Sequence, residues 1–174
     1  MKNVIIVSGD KGGVGKSLIA RVVAEMIHFR CGGASLAMID GDSGNPHLMR
    51  FTQSIGMPEL ADVTEFQGVE KIMTDIEAAE DGTTFVVDLP ANATKHLSDS
   101  VFMFEMLFQA GLAELNIVWA LDTDRGTVEQ LEAFAKQIEN VPATFTVVKN
   151  RAFGTEFAWD QMGLHQELRK QRPE

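Results

Sequence analysis

A glycine-rich segment between a short apolar run and a helical pattern constrains this chain more than any other feature. The segment covers positions 9–17 with the sequence GDKGGVGKS, directly after the β-branched run Val4–Val7. Consecutive glycines let the backbone curl until several N–H groups face one anion. Apolar residues then recur at helical spacing from Lys16 to Arg30, and a helix beginning there adds its N-terminal partial positive charge. The unit predicts a phosphate-binding loop within an α/β fold.

The residues at the end of this loop have the chemistry that a nucleoside triphosphate requires. Lys16 can reach the β- and γ-phosphates, and the Ser17 hydroxyl can ligate Mg²⁺. The strict phosphate-loop pattern has glycine five positions before Gly15, where this chain has Asp10. Because an acid facing a bound anion would repel it, we expect the Asp10 side chain to point away from the loop.

Apolar runs alternate with helical patterns along the rest of the chain. We predict strands at Val4–Val7, Leu36–Ile39, Phe85–Val87, Asn116–Leu121 and Phe145–Val148. We predict further helices at Val69–Ala79, Lys95–Gln109, Thr127–Glu139 and Glu156–Lys170. Such alternation indicates crossover units and a parallel sheet. The prediction is a three-layer α/β/α sandwich of the P-loop NTPase type with a mostly parallel sheet, and residues 1–174 form a single domain.

Four polar residues follow the predicted strands, where ligands bind in parallel sheets. They are Asp40, Asp88, Asp122 and Asn150. Asp40 and Asp42, two residues apart, can serve one metal–water cluster, since Mg²⁺ takes few carboxylates together with waters and phosphate oxygens. The amide of Asn150 can donate and accept at once, which suits the edge of adenine. No Asn/Thr-Lys-x-Asp signature for guanine occurs, so adenine is preferred.

The sequence from Lys11 to Ser17 resembles the deviant Walker A motif of the ParA/MinD ATPase family. The resemblance implies that Lys11 crosses to the nucleotide of a partner subunit in an ATP-bound sandwich dimer; the alternative is a local counter-charge to phosphate within its own chain. The resemblance implies contacts to ATP from Lys11, Gly12, Gly13, Val14, Gly15, Lys16, Ser17 and Leu18.

The resemblance also assigns roles to the residues at the strand ends. Asp40 supports the waters of Mg²⁺, and Asp88, in the Walker B position before Leu89-Pro90, holds another of them together with Ser17. Asp42 positions the attacking water, so the catalytic set is Lys11, Lys16 and Asp42. Asn150 and Arg151 resemble the family's pair beside the base.

The function implied is a slow, Mg²⁺-dependent ATPase switch that forms a homodimer with ATP and separates with ADP. It resembles the small branch associated with plasmid partition, stability or conjugation, in which a partner protein stimulates hydrolysis. Two alternatives remain open: a MinD-like ATPase at a membrane surface, and an ATP-dependent amide ligase or carboxylase like the dethiobiotin and cobyrinic acid synthases. The chain ends early for this family, so the resemblance leaves room for a further C-terminal segment.

Charge and cysteine content limit the partners and the compartment. The net charge of −10 argues against a surface built to hold nucleic acid and does not indicate non-specific DNA binding. We do not expect membrane binding, because acidic residues interrupt the C-terminal pattern Glu156–Lys170. A single cysteine, Cys31, excludes an internal disulfide and fits a reducing cytoplasm.

One predicted helix has more apolar residues than a single buried face needs. In Val101–Phe108 every residue except Glu105 is apolar. Phe102, Met103 and Met106 cannot all share a face with Phe104 and Phe108, because helical neighbours recur at three and four residues. The segment is either buried between the sheet and neighbouring helices or it presents a surface to a dimer mate or partner.

Overall fold

The computed structural model describes residues 1–31, 35–97 and 100–162. Its centre is a sheet whose strands are β1 (Lys2–Ser8), β2 (Leu36–Asp40), β3 (Glu59–Leu60), β4 (Thr84–Asp88), β5 (Ala113–Leu121) and β6 (Ala143–Lys149). The strands lie in the order β3-β2-β4-β1-β5-β6, and every described pairing is parallel. The described helices are α1 (Lys16–Cys31), α2 (His47–Phe51), α3 (Phe66–Ala78), α4 (Ala93–Leu97), α5 (Val101–Gln109), α6 (Arg125–Gln137) and α7 (Ala158–Met162).

Helices cover both faces of the sheet, which explains why the central strands are apolar on both sides. One face carries the larger core, to which α3, α5 and α6 contribute residues such as Ile72, Phe104 and Leu131. The other face carries a smaller core beneath α1 and α2, where Ala20 and Leu48 are buried. The predicted three-layer sandwich with a parallel sheet is thereby confirmed.

The register of the strands brings their carboxyl ends to one edge of the sheet. Asp40 of β2 pairs directly with Asp88 of β4, and Val7 of β1 pairs with Asp88 from the other side. The glycine-rich loop leaves β1 at this edge and enters α1 at Lys16. The fold therefore brings the loop and the predicted acidic residues to the same end of the molecule.

The predicted elements agree with the structure except where elements are short. All five predicted strands are present, whereas β3 and α2, with 2 and 5 residues, were missed. The helix predicted at Lys95–Gln109 is wrong as a single element, because α4 ends at Leu97 and α5 begins at Val101. Of the helix predicted at Glu156–Lys170, the structure describes only α7, and residues 163–170 lie outside the described residues.

Among the described helices, none has the length and apolar character needed to cross a bilayer.

Candidate functional site

The glycine-rich loop has a backbone that only glycine adopts readily. Gly13 and Gly15 have φ angles of +75° and +103°, a region that side chains disfavour. At Gly15 a Cβ atom would also lie 2.9 Å from the side-chain nitrogen of Asn150. The side chain of Val14, between these glycines, is buried. The backbone therefore explains the glycines at positions 13 and 15.

Lys16 is held inside the loop. Its side chain is buried, and Nζ donates a hydrogen bond to the carbonyl oxygen of Lys11 at 3.0 Å. Burial lowers the pKa of Lys16, while the nearby carboxylates of Asp88, Asp10 and Asp42 act in the opposite direction. The result is a positive group at the point where the loop's N–H groups would receive phosphate.

Asp88 is the most perturbed acid of the site. Burial raises its pKa to about 7, against the effect of a hydrogen bond from the Ser17 side chain. Its Oδ1 atom is buried and finds no hydrogen-bond partner among the described residues. Buried polar atoms without a partner are rare in folded proteins. This oxygen, on a carboxylate that the Ser17 side chain also contacts, therefore fits a cation or a water bound to one.

Asp40 lies beside Asp88, and neighbouring backbone groups hold its carboxylate. Oδ1 accepts a hydrogen bond from the N–H of Asp42 at 3.2 Å, and Oδ2 accepts one from the N–H of Met49 at 3.0 Å. Burial raises the pKa of Asp40 against these bonds. With Ser17 and Asp88 it forms an oxygen-only donor set of the kind that Mg²⁺ prefers. In the described part of the chain, no three His, Cys, Asp or Glu side chains gather as a metal cluster, so a cation here would need water and phosphate as further ligands.

Asp42 stands on the loop after β2, at the mouth of the same cleft. Its Oδ1 accepts a hydrogen bond from the N–H of Asn45 at 2.9 Å, which closes a tight turn. The cleft holds about 390 Å³. Its lining combines the loop residues Gly12, Gly13, Gly15, Lys16, Ser17 and Leu18 with Asp42, Asn45, His47, Asp88, Leu89, Pro90 and Ala91. A hollow of about 450 Å³ lies at the opposite end of the strands, around Met1 and Asn116, away from all these groups.

Lys11 does not stand free at the start of the loop. Its Nζ lies 2.5 Å from Oδ2 of Asp122, at the end of β5, and 3.5 Å from Oδ2 of Asp124. The hydrogen bond with Asp122 raises the pKa of Lys11. Burial acts to raise the pKa of Asp122, but bonds from Lys11, the Asp124 backbone and Thr127 outweigh it and the pKa is lowered. The lysine is thus paired within its own chain, and its contact with a second subunit stays a prediction.

Asn150 supports the loop from the end of β6. Its Nδ2 donates a hydrogen bond to the carbonyl oxygen of Val14 at 2.9 Å, and its Oδ1 accepts one from the N–H of Ala152 at 3.1 Å. The neighbouring Arg151 is exposed at the start of a short 3₁₀ turn, Arg151–Phe153. The geometry gives Asn150 a bracing contact that the sequence did not reveal, and its contact with adenine stays a prediction.

Asp10, the residue that departs from the strict pattern, is bound by α4. The hydroxyl of Thr94 donates a hydrogen bond to its Oδ2, and the N–H of Thr94 lies 3.4 Å from its Oδ1. Asn92 donates its N–H to the carbonyl oxygen of Asp10 at 3.2 Å. The carboxylate is therefore held by α4, and it still acts electrostatically on Lys16; that it points away from the loop stays a prediction. Thr94 itself carried no recognisable signal in the sequence.

Comparisons with known proteins agree on the fold. No protein-family model matches the chain. Protein MobD from Acidithiobacillus ferrooxidans is 26% identical over 159 residues, which is 89% of this chain, and the chain spans 66% of MobD. Chloroplast FtsY from Physcomitrella patens has a TM-score of 0.55 at 18% identity, over 84% of this chain and 49% of that one. A nucleotide-binding protein from Archaeoglobus fulgidus, in complex with ADP, has a TM-score of 0.52 at 19% identity. The match covers 99% of this chain and 79% of that protein's chain. The chain has the fold of the P-loop NTPases.

Proposed function

We propose that this chain binds Mg–ATP and hydrolyses it slowly as a molecular switch of the ParA/MinD type. The observation that carries the proposal is the arrangement around Asp88. Its carboxylate accepts a hydrogen bond from the Ser17 side chain, its buried Oδ1 has no partner among the described residues, and Asp88 acts electrostatically on the buried ammonium of Lys16. A cation donor set and a phosphate-binding lysine thus meet at the end of a glycine-rich loop, which is what a nucleoside triphosphate with its metal requires.

Each residue of the cleft has a role in this proposal. Lys16 and the loop's N–H groups bind the β- and γ-phosphates and stabilise the charge that develops during phosphoryl transfer. Ser17, Asp88 and Asp40 would hold Mg²⁺ and its waters, and the cation would neutralise charge on the phosphate oxygens. Asp42, at the cleft mouth, orients the attacking water. Catalysis then consists of positioning and electrostatic stabilisation.

The proposed switch depends on Lys11. In the ATP-bound homodimer this lysine leaves Asp122 and contacts the nucleotide of the second copy; after hydrolysis it returns to the pair at 2.5 Å. The resemblance of the loop supports a cytoplasmic role in plasmid partition, stability or conjugation, with a partner protein that stimulates hydrolysis. The net charge of −10 gives no support to non-specific DNA binding.

Calorimetry with a non-hydrolysable ATP analogue and Mg²⁺ tests the binding step. Wild-type protein should bind, and Lys16→Ala should weaken binding by about 30-fold or more, because a buried charge on the phosphates is lost. Lys136→Ala, which removes an exposed lysine of α6, is the matched control and should bind as wild type does. A wild-type protein without measurable affinity for adenine nucleotides would contradict the proposal.

Turnover tests the assignment of Asp42. Asp42→Asn keeps an oxygen for the bond from the Asn45 N–H but removes the negative charge that orients water. Turnover should fall by about 100-fold, whereas analogue affinity should stay within about twofold. Unchanged turnover in this variant would assign the role to another acid.

A further inference from the structure

The outer face of α1 carries an apolar stripe that no described element covers. The stripe consists of Leu18, Val22, Met26 and Phe29, all exposed, and Phe29 is 79% exposed. These residues follow one another at intervals of four, four and three, so they lie on one side of the helix. The opposite side is the buried one, with Ala20 and Ala24 packed on the sheet. A helix that is covered on one side normally carries polar residues on the other.

A second uncovered apolar surface lies in the opposite layer of the sandwich. It is a groove of about 390 Å³ between α3 and α5, and it continues to the start of β5. Its apolar lining includes Met73, Phe102, Met103, Met106 and Leu112. Phe102 and Met106 are 52% and 72% exposed. Exposed apolar groups gathered in a groove mark an interaction surface more often than isolated ones do.

The two surfaces have opposite charge. Arg21 and Arg30 lie on α1, and Arg50 lies on the adjacent α2. Arg21 is paired with Glu25 of the same helix at 2.8 Å, so the positive charge of this surface comes from Arg30 and Arg50. Along the stripe, residues 18–30 contain two arginines and one glutamate, in a chain whose net charge is −10. The groove is acidic instead: Glu77 lines it, and Glu105 lies on α5 between Phe102 and Met106.

We propose that the α1 stripe of one copy of this chain docks in the α3–α5 groove of a second copy. Apolar residues then cover apolar residues, and Arg30 and Arg50 beside the stripe meet the glutamates beside the groove. Pairing stripe with stripe or groove with groove would bring like charges together, which opposes both symmetric arrangements. Because the two surfaces lie on opposite outer layers, a docked pair leaves one stripe free on one copy and one groove free on the other. The contact is head-to-tail and builds an open row of copies.

Sedimentation velocity without nucleotide tests this contact separately from any ATP-dependent pairing, so its failure would leave the proposed ATPase untouched. The average mass of the wild-type protein should rise with concentration past twice the chain mass of 19.1 kDa. Met26→Asp in the stripe and Met106→Asp in the groove should each weaken association by about tenfold or more. Leu60→Asp, on the edge strand β3 and 42% exposed, is the control and should associate as wild type does.

Mixing the two variants provides the decisive measurement. Met26→Asp protein keeps an intact groove, and Met106→Asp protein keeps an intact stripe, so an equimolar mixture should form a heterodimer and no larger species. A mixture that stays monomeric overturns the proposal, as does a wild-type protein that is monomeric at every concentration. Normal association of Met106→Asp alone would show stripe-on-stripe pairing, and normal association of Met26→Asp alone would show groove-on-groove pairing; either result overturns it. Thermal melts of both variants at the wild-type midpoint confirm that the monomers are folded.

Discussion

The ammonium nitrogen of Lys11 lies 2.5 Å from Oδ2 of Asp122, a carboxylate whose side chain is only 3% exposed. The other oxygen of Asp122 accepts hydrogen bonds from the Asp124 N–H at 2.9 Å and from the Thr127 hydroxyl at 3.0 Å. Asp122 is therefore fixed by the N-terminal turn of α6 independently of its contact with Lys11. A lysine that must contact a second subunit first has to leave this carboxylate, so the pair opposes the proposed dimer.

The Asp122→Asn variant tests this opposition. It keeps an oxygen that accepts from Thr127 but loses the charge that holds Lys11. The analogue-bound dimer should form at severalfold lower protein concentration than in the wild type, as measured by sedimentation. Asp124→Asn, whose carboxylate is 3.5 Å from the lysine, should have a smaller effect. If Asp122→Asn dimerises less readily than wild type, the pair supports the dimer and the interpretation is reversed.

The pKa of Asp88, raised from 3.8 to about 7, predicts a specific dependence of stability on pH. Between these values the unfolded chain has lost the proton that the folded chain keeps, so the folded state binds more protons. Stability must therefore fall as pH rises through this window. The free energy of unfolding in urea, without Mg²⁺ or nucleotide, should fall by a few kcal/mol more in wild type than in Asp88→Asn. Parallel pH profiles for the two proteins would contradict the raised pKa of Asp88.

The sequence predicted the parts of the site whose signals are local. The loop was recognised because its glycines and Lys16 are adjacent in the chain. Asp40 and Asp88 were placed together because each ends a strand of a parallel sheet, and the register confirms that they are partners. In both cases, the periodicity of the flanking segments was sufficient to predict the strand or helix that positions these residues.

The contacts that the sequence did not reveal are long-range or involve short elements. Asn150 and Val14 are separated by 136 positions, and nothing in either neighbourhood encodes their bond. In the same way, no local sequence pattern predicts the contact between Lys11 and Asp122 or the one between Asp10 and Thr94. Helix α2 has five residues, too few for a helical period to be recognised against a turn. These features depend on how the folded sheet brings loops together.

Asn150→Ala distinguishes a loop brace from an adenine contact. If the bond to the Val14 carbonyl matters most, the loop loses its support, and the variant should bind both Mg–ATP analogue and inorganic tripolyphosphate about fivefold more weakly, which corresponds to about 1 kcal/mol for one hydrogen bond. If adenine is its partner, only the nucleotide should be affected. Calorimetry with both ligands decides between the two. Equal affinity of variant and wild type for both ligands would leave Asn150 without either role.

Met103 and Met106, three positions apart on α5, should respond differently to the same substitution. The sequence did not decide whether these two methionines lie in the core or on the surface. In the structure Met103 packs partly against the larger core, and Met106 is 72% exposed. An aspartate at position 103 must bring its charge to the edge of that core without a partner, which costs about 1–3 kcal/mol. Met103→Asp should therefore lower the melting temperature by about 3 °C or more for a chain of this length. In the monomer Met106→Asp places its charge in water, and at protein concentrations where both proteins are monomeric its melting temperature should stay within about 1 °C of wild type. Calorimetric melts at equal protein concentration compare the two variants directly. Equal losses of stability would show that the whole outer face of α5 is buried in solution, against the exposure that the structure gives to Met106.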